Sequence, residues 1–164
     1  MTTNQMTTNQ ARRRERGLLY EDFYVGQKFN HHWGRTLSGS ESMTYSTMTM
    51  NFCPIYFNKQ YASSLGYDGV TINPLLVFST ILGLSVEDLS EAGGPFLGID
   101  DLVFDRPVYD GDTIWAMSET LSARPSKSMP GWGIVGWRTR GVNQNQQQVL
   151  QFQRTNLARM RDNT

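Results

Sequence analysis

The spacing of apolar and polar positions divides the chain into a polar tail, a helical half and a strand-rich half. Residues 1–17 are polar and show no hydrophobic periodicity, which is typical of a disordered tail. Apolar residues first cluster at Leu18-Leu19-Tyr20. Since 164 residues suit one core better than two, residues 18–164 are predicted to form a single domain.

Two helices are indicated by their capping residues. Ser38 or Ser40 can cap the first, because each precedes a polar helical stretch with Glu41 in its first turn. Asn58 can cap a second, short helix over residues 59–65, which ends at a glycine.

A third helix is predicted over residues 75–88. Asn73 is a candidate cap and Pro74 suits the first helical position. The segment that follows is apolar around most of its girth, so other structure should surround it.

Strands are predicted elsewhere, from β-forming residues between turn signals. One covers residues 31–37, and the others cover residues 99–104, 113–123, 132–142 and 149–160. The glutamine-rich stretch 143–148 is predicted to be the hairpin turn between the last two. This order of elements predicts an α+β fold in which a curved antiparallel sheet wraps around a central helix.

Composition excludes some partners. Lys plus Arg and Asp plus Glu both number 15, so net charge gives no reason to expect binding to nucleic acid or to an anionic membrane. The basic run Arg12-Arg13-Arg14 is interpreted as a solvated arm. Cys53 is the sole cysteine, so an intrachain disulfide is impossible, and it is predicted to be a small buried thiol. With no apolar run near residue 1, we expect a cytoplasmic protein.

The chain shows none of the standard catalytic motifs that we sought. His31 and His32 are neighbours in a predicted strand and should face opposite ways, so packing or hydrogen bonding is expected rather than a metal site. Asp110 and Asp112 flank Gly111, which is typical of a turn, although a carboxylate dyad remains open. No metal and no cofactor are expected.

Seven short segments together resemble the MaoC-like hydratase/dehydratase family, and they occur in order over roughly residues 20–160. Within that family the chain resembles single-domain relatives of the mesaconyl-CoA and itaconyl-CoA hydratases. The segments are Gly34-Arg35-Thr36, Thr49-Met50-Asn51-Phe52-Cys53-Pro54-Ile55-Tyr56, Tyr61-Ala62, Asn73-Pro74-Leu75-Leu76, Gly83-Leu84-Ser85-Val86, Pro107-Val108 with Gly111-Asp112-Thr113, and Ser126-Lys127-Ser128.

The resemblance implies a hot-dog fold, a homodimer or dimer-based oligomer, and a substrate that is an acyl thioester of CoA or acyl carrier protein. It also implies a hydro-lyase, which adds water to a 2-enoyl thioester or removes it. The family's signature is Asp-x-Asn-Pro-x-His, in which Asp and His activate the water. Here Asn51 replaces the acid, Cys53 the asparagine and Tyr56 the histidine.

These replacements change the chemistry expected at the site. An amide cannot accept a proton from water, and a phenol with a pKa of about 10 is a weak base but a good hydrogen-bond donor. The catalytic candidates are therefore Asn51, which could orient substrate or water, and Tyr56, which could donate to a substrate oxygen. Amide N–H groups near Leu75 and Leu76, after Asn73, could polarise the thioester carbonyl.

Three functions remain open at this point. The first is a hydratase/dehydratase with altered acid–base residues. The second is a hot-dog enzyme recruited to another elimination, conjugate addition or cyclisation, with Tyr56 as the acid. The third is a non-catalytic acyl-binding subunit of a heteromeric hydratase. In each, Arg124, Lys127 and Ser128 could contact a phosphate of CoA, or simply form an exposed hairpin loop.

Overall fold

The computed structural model describes residues 16–161, so most of the predicted tail lies outside the described residues. The first two described residues, Arg16 and Gly17, contact the rest of the chain. Arg16 forms an ion pair of 3.6 Å with Glu91, and Gly17 lies so close to Ala92 that a Cβ at position 17 would be 2.2 Å from its nitrogen.

Five antiparallel strands form one sheet. They are β1 (Lys28–Thr36), β2 (Phe96–Phe104), β3 (Thr113–Pro125), β4 (Trp132–Asn143) and β5 (Gln148–Arg159). Their order across the sheet is β1-β3-β4-β5-β2, so β1 and β2 are the two edges. The five predicted strands are confirmed, each with ends shifted by a few residues. The predicted turn is also confirmed, with Asn143 N–H donating to the Gln147 carbonyl at 3.0 Å.

The helices are α1 (Gly39–Met48), α2 (Lys59–Ser64), α3 (Pro74–Leu84) and α4 (Val86–Leu89). Ser38 caps α1 and forms a reciprocal capping box with Glu41, and Asn58 caps α2, as predicted. Short 3₁₀ turns lie at Tyr20–Asp22 and Pro54–Tyr56. Among residues 16–161, no helix combines the length and the apolar character needed to cross a membrane.

The predicted third helix is shorter than expected. The sequence predicts one helix over residues 75–88, but α3 ends at Leu84 and α4 begins at Val86. At the junction, the Ser85 N–H and hydroxyl both donate to the Leu82 carbonyl, at 3.2 and 2.7 Å. A serine side chain that competes for a backbone carbonyl in this way favours a helix end.

Helix α3 packs against the inner face of the sheet, as the sequence predicts. Val77 and Ile81 are buried, and the rings of Phe78 and Phe152 meet edge to face at 5.0 Å. Gly141 on β4 allows this close approach, because a Cβ there would lie 2.1 Å from Cδ1 of Ile81.

A row of polar side chains separates this core from a second, smaller core. On β5, Phe152 belongs to the first core and Ala158 to the second, with buried Arg154 and Asn156 between them. Trp137 lies in the second core, and the guanidinium carbon of Arg154 is 5.2 Å from the centre of its ring. Burial lowers the pKa of Arg154 to about 10.

His31 anchors the other end of this polar row. Its Nδ1 is 2.6 Å from Oδ2 of Asp88, its Nε2 is 2.8 Å from Oγ of Ser118, and Ser118 in turn contacts Thr139 at 2.8 Å. Because a carboxylate only accepts, Nδ1 carries the proton and Nε2 accepts from Ser118 in the neutral ring. Burial lowers the pKa of His31, although the hydrogen bond that its ring donates to Asp88 opposes that shift.

We expect His31 to make stability depend on pH. Its folded pKa lies below the ordinary value of 6.5, so the unfolded chain binds a proton first as the pH falls. The free energy of unfolding should therefore decrease below about pH 6.5, by at most about 1.4 kcal/mol per pH unit. Urea unfolding at pH 7.5 and 5.5 measures this, and His31→Gln should flatten the slope in that window.

The matched control for that experiment is Asn30→Gln, since Asn30 is exposed on the same strand and carries no titratable group. It should leave the slope unchanged. An equal slope in the wild type and in His31→Gln would contradict the role of His31.

The start of α3 depends on Asn73, which is fully buried. Its backbone N–H donates to Oγ of Ser42 at 2.8 Å, and its side-chain amide donates to Oγ of Ser46 at 2.9 Å. Its Oδ1 accepts from the Leu75 N–H at 3.0 Å. This one side chain thus caps α3 and joins it to α1.

Replacement of Asn73 by alanine should destabilise the fold by about 2–4 kcal/mol, because it removes a helix cap and leaves a buried hydroxyl without a partner. Asn58→Ala is the matched control. Asn58 is an exposed cap whose Oδ1 accepts from the Tyr61 N–H at 3.1 Å, and its loss should cost about 1 kcal/mol. Urea unfolding compares the two. Equal losses would show that Asn73 acts as an ordinary cap.

Candidate functional site

Residues 51–56, where this chain departs from the family's signature, lie between α1 and α2. Met50 has a left-handed φ of 56°, which ends the first helix, and the Asn51 N–H then donates to the Ser46 carbonyl at 2.8 Å. Pro54 opens the 3₁₀ turn that carries Tyr56. The prediction that Cys53 is buried is wrong, because the thiol lies on this exposed loop.

Tyr56 lines a cavity of about 150 Å³ beside the start of α3. The cavity is also bounded by Tyr67, Pro74, Phe104 and Arg106. Its remaining walls come from apolar side chains and Thr71, so it combines two phenols and one guanidinium with a largely apolar surface. Such a mixture of apolar walls and a few polar groups is typical of a small-molecule site.

The electrostatics make Tyr56 a hydrogen-bond donor. Burial, together with Cys53 and Tyr67 nearby, raises the pKa of its phenol above the ordinary value of 10.0. The hydroxyl therefore keeps its proton at neutral pH. In the part of the chain that the structure describes, this hydroxyl forms no hydrogen bond with another protein group, so it can donate one to a ligand.

Asn51 lies outside the cavity, and the predicted amide donors already have hydrogen-bond partners. Asn51 is half-buried and does not line the cavity. The Leu75 N–H donates to the Asn73 side chain, and the Leu76 N–H donates to the Asn73 carbonyl at 3.0 Å. A role for either amide in polarising a thioester remains a prediction, and it would require sharing these hydrogen bonds with the ligand.

The predicted phosphate-binding loop lies at the far end of the sheet. The cavity is close to the Thr113 end of β3, where Thr71 pairs with Tyr109. Lys127 and Ser128 are exposed in the hairpin beyond Pro125, at the other end of the same strand. Twelve residue steps along a strand span roughly 40 Å, so one chain does not bring this loop to Tyr56.

Sequence reasoning missed most residues of this cavity, among them Tyr67, Phe104 and Arg106. They come from separate parts of the chain, and only the fold joins them. The one available signal was the family-like Pro107-Val108, which directly follows Arg106.

Similar proteins show the family to which the chain belongs. A model of the mesaconyl-CoA hydratase family matches residues 1–164. The chain belongs to this family. Over 155 residues it is 34% identical to a mesaconyl-CoA hydratase from Haloarcula hispanica, which covers 94% of this chain and 43% of that protein. The chain thus spans less than half the length of that relative.

Solved structures bear out the predicted hot-dog fold. A MaoC domain protein dehydratase from Chloroflexus aurantiacus is 29% identical and has a TM-score of 0.85, with coverage of 94% of this chain and 44% of that one. A Mycobacterium tuberculosis protein with a double hotdog fold has a TM-score of 0.78 at 23% identity, covering 90% of this chain and 46% of that one. This mesaconyl-CoA hydratase family member therefore matches about one half of each longer structure.

Proposed function

We propose that this family member is a hydro-lyase that hydrates a 2-enoyl thioester of CoA, or dehydrates the matching 3-hydroxyacyl thioester. The observation that supports this most directly is the cavity of Tyr56, in a member of the mesaconyl-CoA hydratase family. In our proposal the thioester enters this cavity and Tyr56 donates a hydrogen bond to an oxygen of the substrate. Acyl carrier protein is the alternative carrier, and the cytoplasm is the expected location.

Hydration also needs a group that accepts a proton from water. The polar side chains at the cavity are phenols, a hydroxyl and a guanidinium, none of which is a base at neutral pH. We therefore propose that a second hot-dog domain completes the site.

The sheet offers an edge for that second domain. Strand β2 lies at the edge beside the cavity, and its Phe96, Leu97, Val103 and Phe104 are 43–50% exposed. An unpaired edge with apolar side chains favours pairing with another strand. Antiparallel pairing of two β2 strands would bring the partner's loop, with Arg124, Lys127 and Ser128, to the end of the sheet where Tyr56 lies. This would reconcile the two distant parts of the predicted substrate site.

A homodimer through β2 is thus our proposal for the assembly. Leu97→Glu should convert the dimer to a monomer, because it places a charge on the paired edge. Sedimentation velocity measures the mass in solution. Val25→Glu is the matched control, since Val25 is 66% exposed in a turn outside the sheet and should leave the mass unchanged. A monomeric wild type, or a dimeric Leu97→Glu, would contradict the proposal.

The proposed reaction can be followed by the loss of enoyl absorbance with crotonyl-, mesaconyl- and itaconyl-CoA. We expect turnover of at least one of them. Tyr56→Phe should lower kcat by about 10²–10³-fold, because it removes a donor from a site with few of them. Tyr61→Phe is the control, since Tyr61 is exposed on α2 and lies outside the cavity. No turnover of any substrate would contradict the hydratase proposal, and an unchanged rate in Tyr56→Phe would contradict the role of Tyr56.

The donor-rich cavity also favours a second candidate, the acyl-binding subunit of a heteromeric hydratase. In that case the purified chain would bind an acyl-CoA without turning it over. Activity would appear only when a homologue that retains the signature histidine is added. An active homomer would exclude this function.

A further inference from the structure

Arg106 brings a positive charge to the cavity of Tyr56. It lies two residues beyond the end of β2 and lines the cavity with Tyr67 and Phe104. Its Nε donates to the Gln148 carbonyl at 3.1 Å, which holds the side chain beside the sheet. Among residues 16–161, no carboxylate forms an ion pair with it, so its two terminal nitrogens can meet a ligand.

The cavity is small for a long acyl chain. Its volume is about 150 Å³, and an apolar cavity of about that size holds a benzene-sized group. Val77, Phe104 and Val108 supply apolar walls. A short, compact acyl group fits this space, and one guanidinium at the wall suits an acyl group with one negative charge.

We propose that Arg106 binds the free carboxylate of a short dicarboxylic acyl thioester and so selects carboxylated over neutral acyl groups. This inference rests on the proposed function, in which the acyl group occupies this cavity. A guanidinium can present two parallel N–H groups to a carboxylate, and Arg106 is exposed beside the apolar walls, so its charged end is open to a ligand. Arg106 is therefore a specificity-determining residue, while Tyr56 serves the reacting end of the substrate.

The same guanidinium could instead meet a phosphate of the CoA carrier, since phosphate and carboxylate share this chemistry. The two sources predict different results. A carboxylate contact affects only dicarboxylic acyl groups, whereas a phosphate contact affects every CoA compound equally.

Calorimetric titration of the purified protein distinguishes these sources without requiring turnover. The ligands are mesaconyl-CoA, crotonyl-CoA and free CoA, and the variants are Arg106→Gln and Arg106→Lys. We expect the wild type to prefer mesaconyl-CoA to crotonyl-CoA by about tenfold to a hundredfold, and Arg106→Gln to lose that preference. Affinity for crotonyl-CoA and free CoA should stay unchanged, and Arg106→Lys should recover part of the preference because it keeps the charge.

Arg140→Gln is the matched control, because Arg140 is an exposed arginine on β4 outside this cavity. It should retain the wild-type preference, and thermal unfolding should show that all variants fold. Equal weakening of all three ligands by Arg106→Gln would assign the residue to the carrier phosphate and overturn the proposal. A wild type without preference for mesaconyl-CoA, or one that binds none of the ligands, would also overturn it.

Failure of the proposed function gives a different result from failure of this inference. One outcome is binding that is selective and depends on Arg106 while no turnover occurs, either alone or with a histidine-containing homologue. That result would refute the hydro-lyase and support the carboxylate contact. Turnover with a preference that survives Arg106→Gln would support the hydro-lyase and refute the contact.

Discussion

The burial of α3 is the constraint on which the rest of this structure depends. The helix is apolar on nearly every face, so it is stable only when other elements remove it from water. The sheet supplies most of that cover, and the close contact of Ile81 with Gly141 brings the two together. Once the helix lies against the sheet, its first turn is beside the Thr113 end of β3. The site of Tyr56 forms at that end because α1, α2 and the start of α3 converge there.

Asn73 connects this constraint to the site. A buried amide must have hydrogen-bond partners, and Asn73 finds them in Ser42, Ser46 and the first turn of α3. The same bonds hold α1 against α3 and so position the loop that carries Tyr56. Asn73 also accepts from the N–H groups of Leu75 and Leu76, which a thioester carbonyl could otherwise use. The position of Asn73 therefore serves the architecture first, and any catalytic use of these amides depends on it.

The interior also contains a charged side chain, Arg154, that is stabilised mainly by an aromatic ring. Arg154 lies between the two cores with a weak hydrogen bond of 3.5 Å to the Ser85 carbonyl and the face of Trp137 beneath it. Burial of a guanidinium is costly, and interaction with an aromatic face offsets part of that cost. The row from Asp88 through His31 to Thr139 continues across the sheet. As a result the core is divided in two, and only the half around α3 borders the cavity.

The sequence by itself determined the strands, the helix caps and the central apolar helix, because period, capping chemistry and turn residues act over a few neighbouring positions. It also placed Tyr56 within a family-like segment. Only the tertiary structure decided that Cys53 is exposed, that Arg154 is buried, and that the apolar stretch breaks at Ser85. It likewise brought Arg106 and Tyr67 to Tyr56 while leaving Lys127 at the opposite end of the sheet. These outcomes depend on which distant segments meet when the sheet closes around α3, and no local pattern along the chain encodes such meetings.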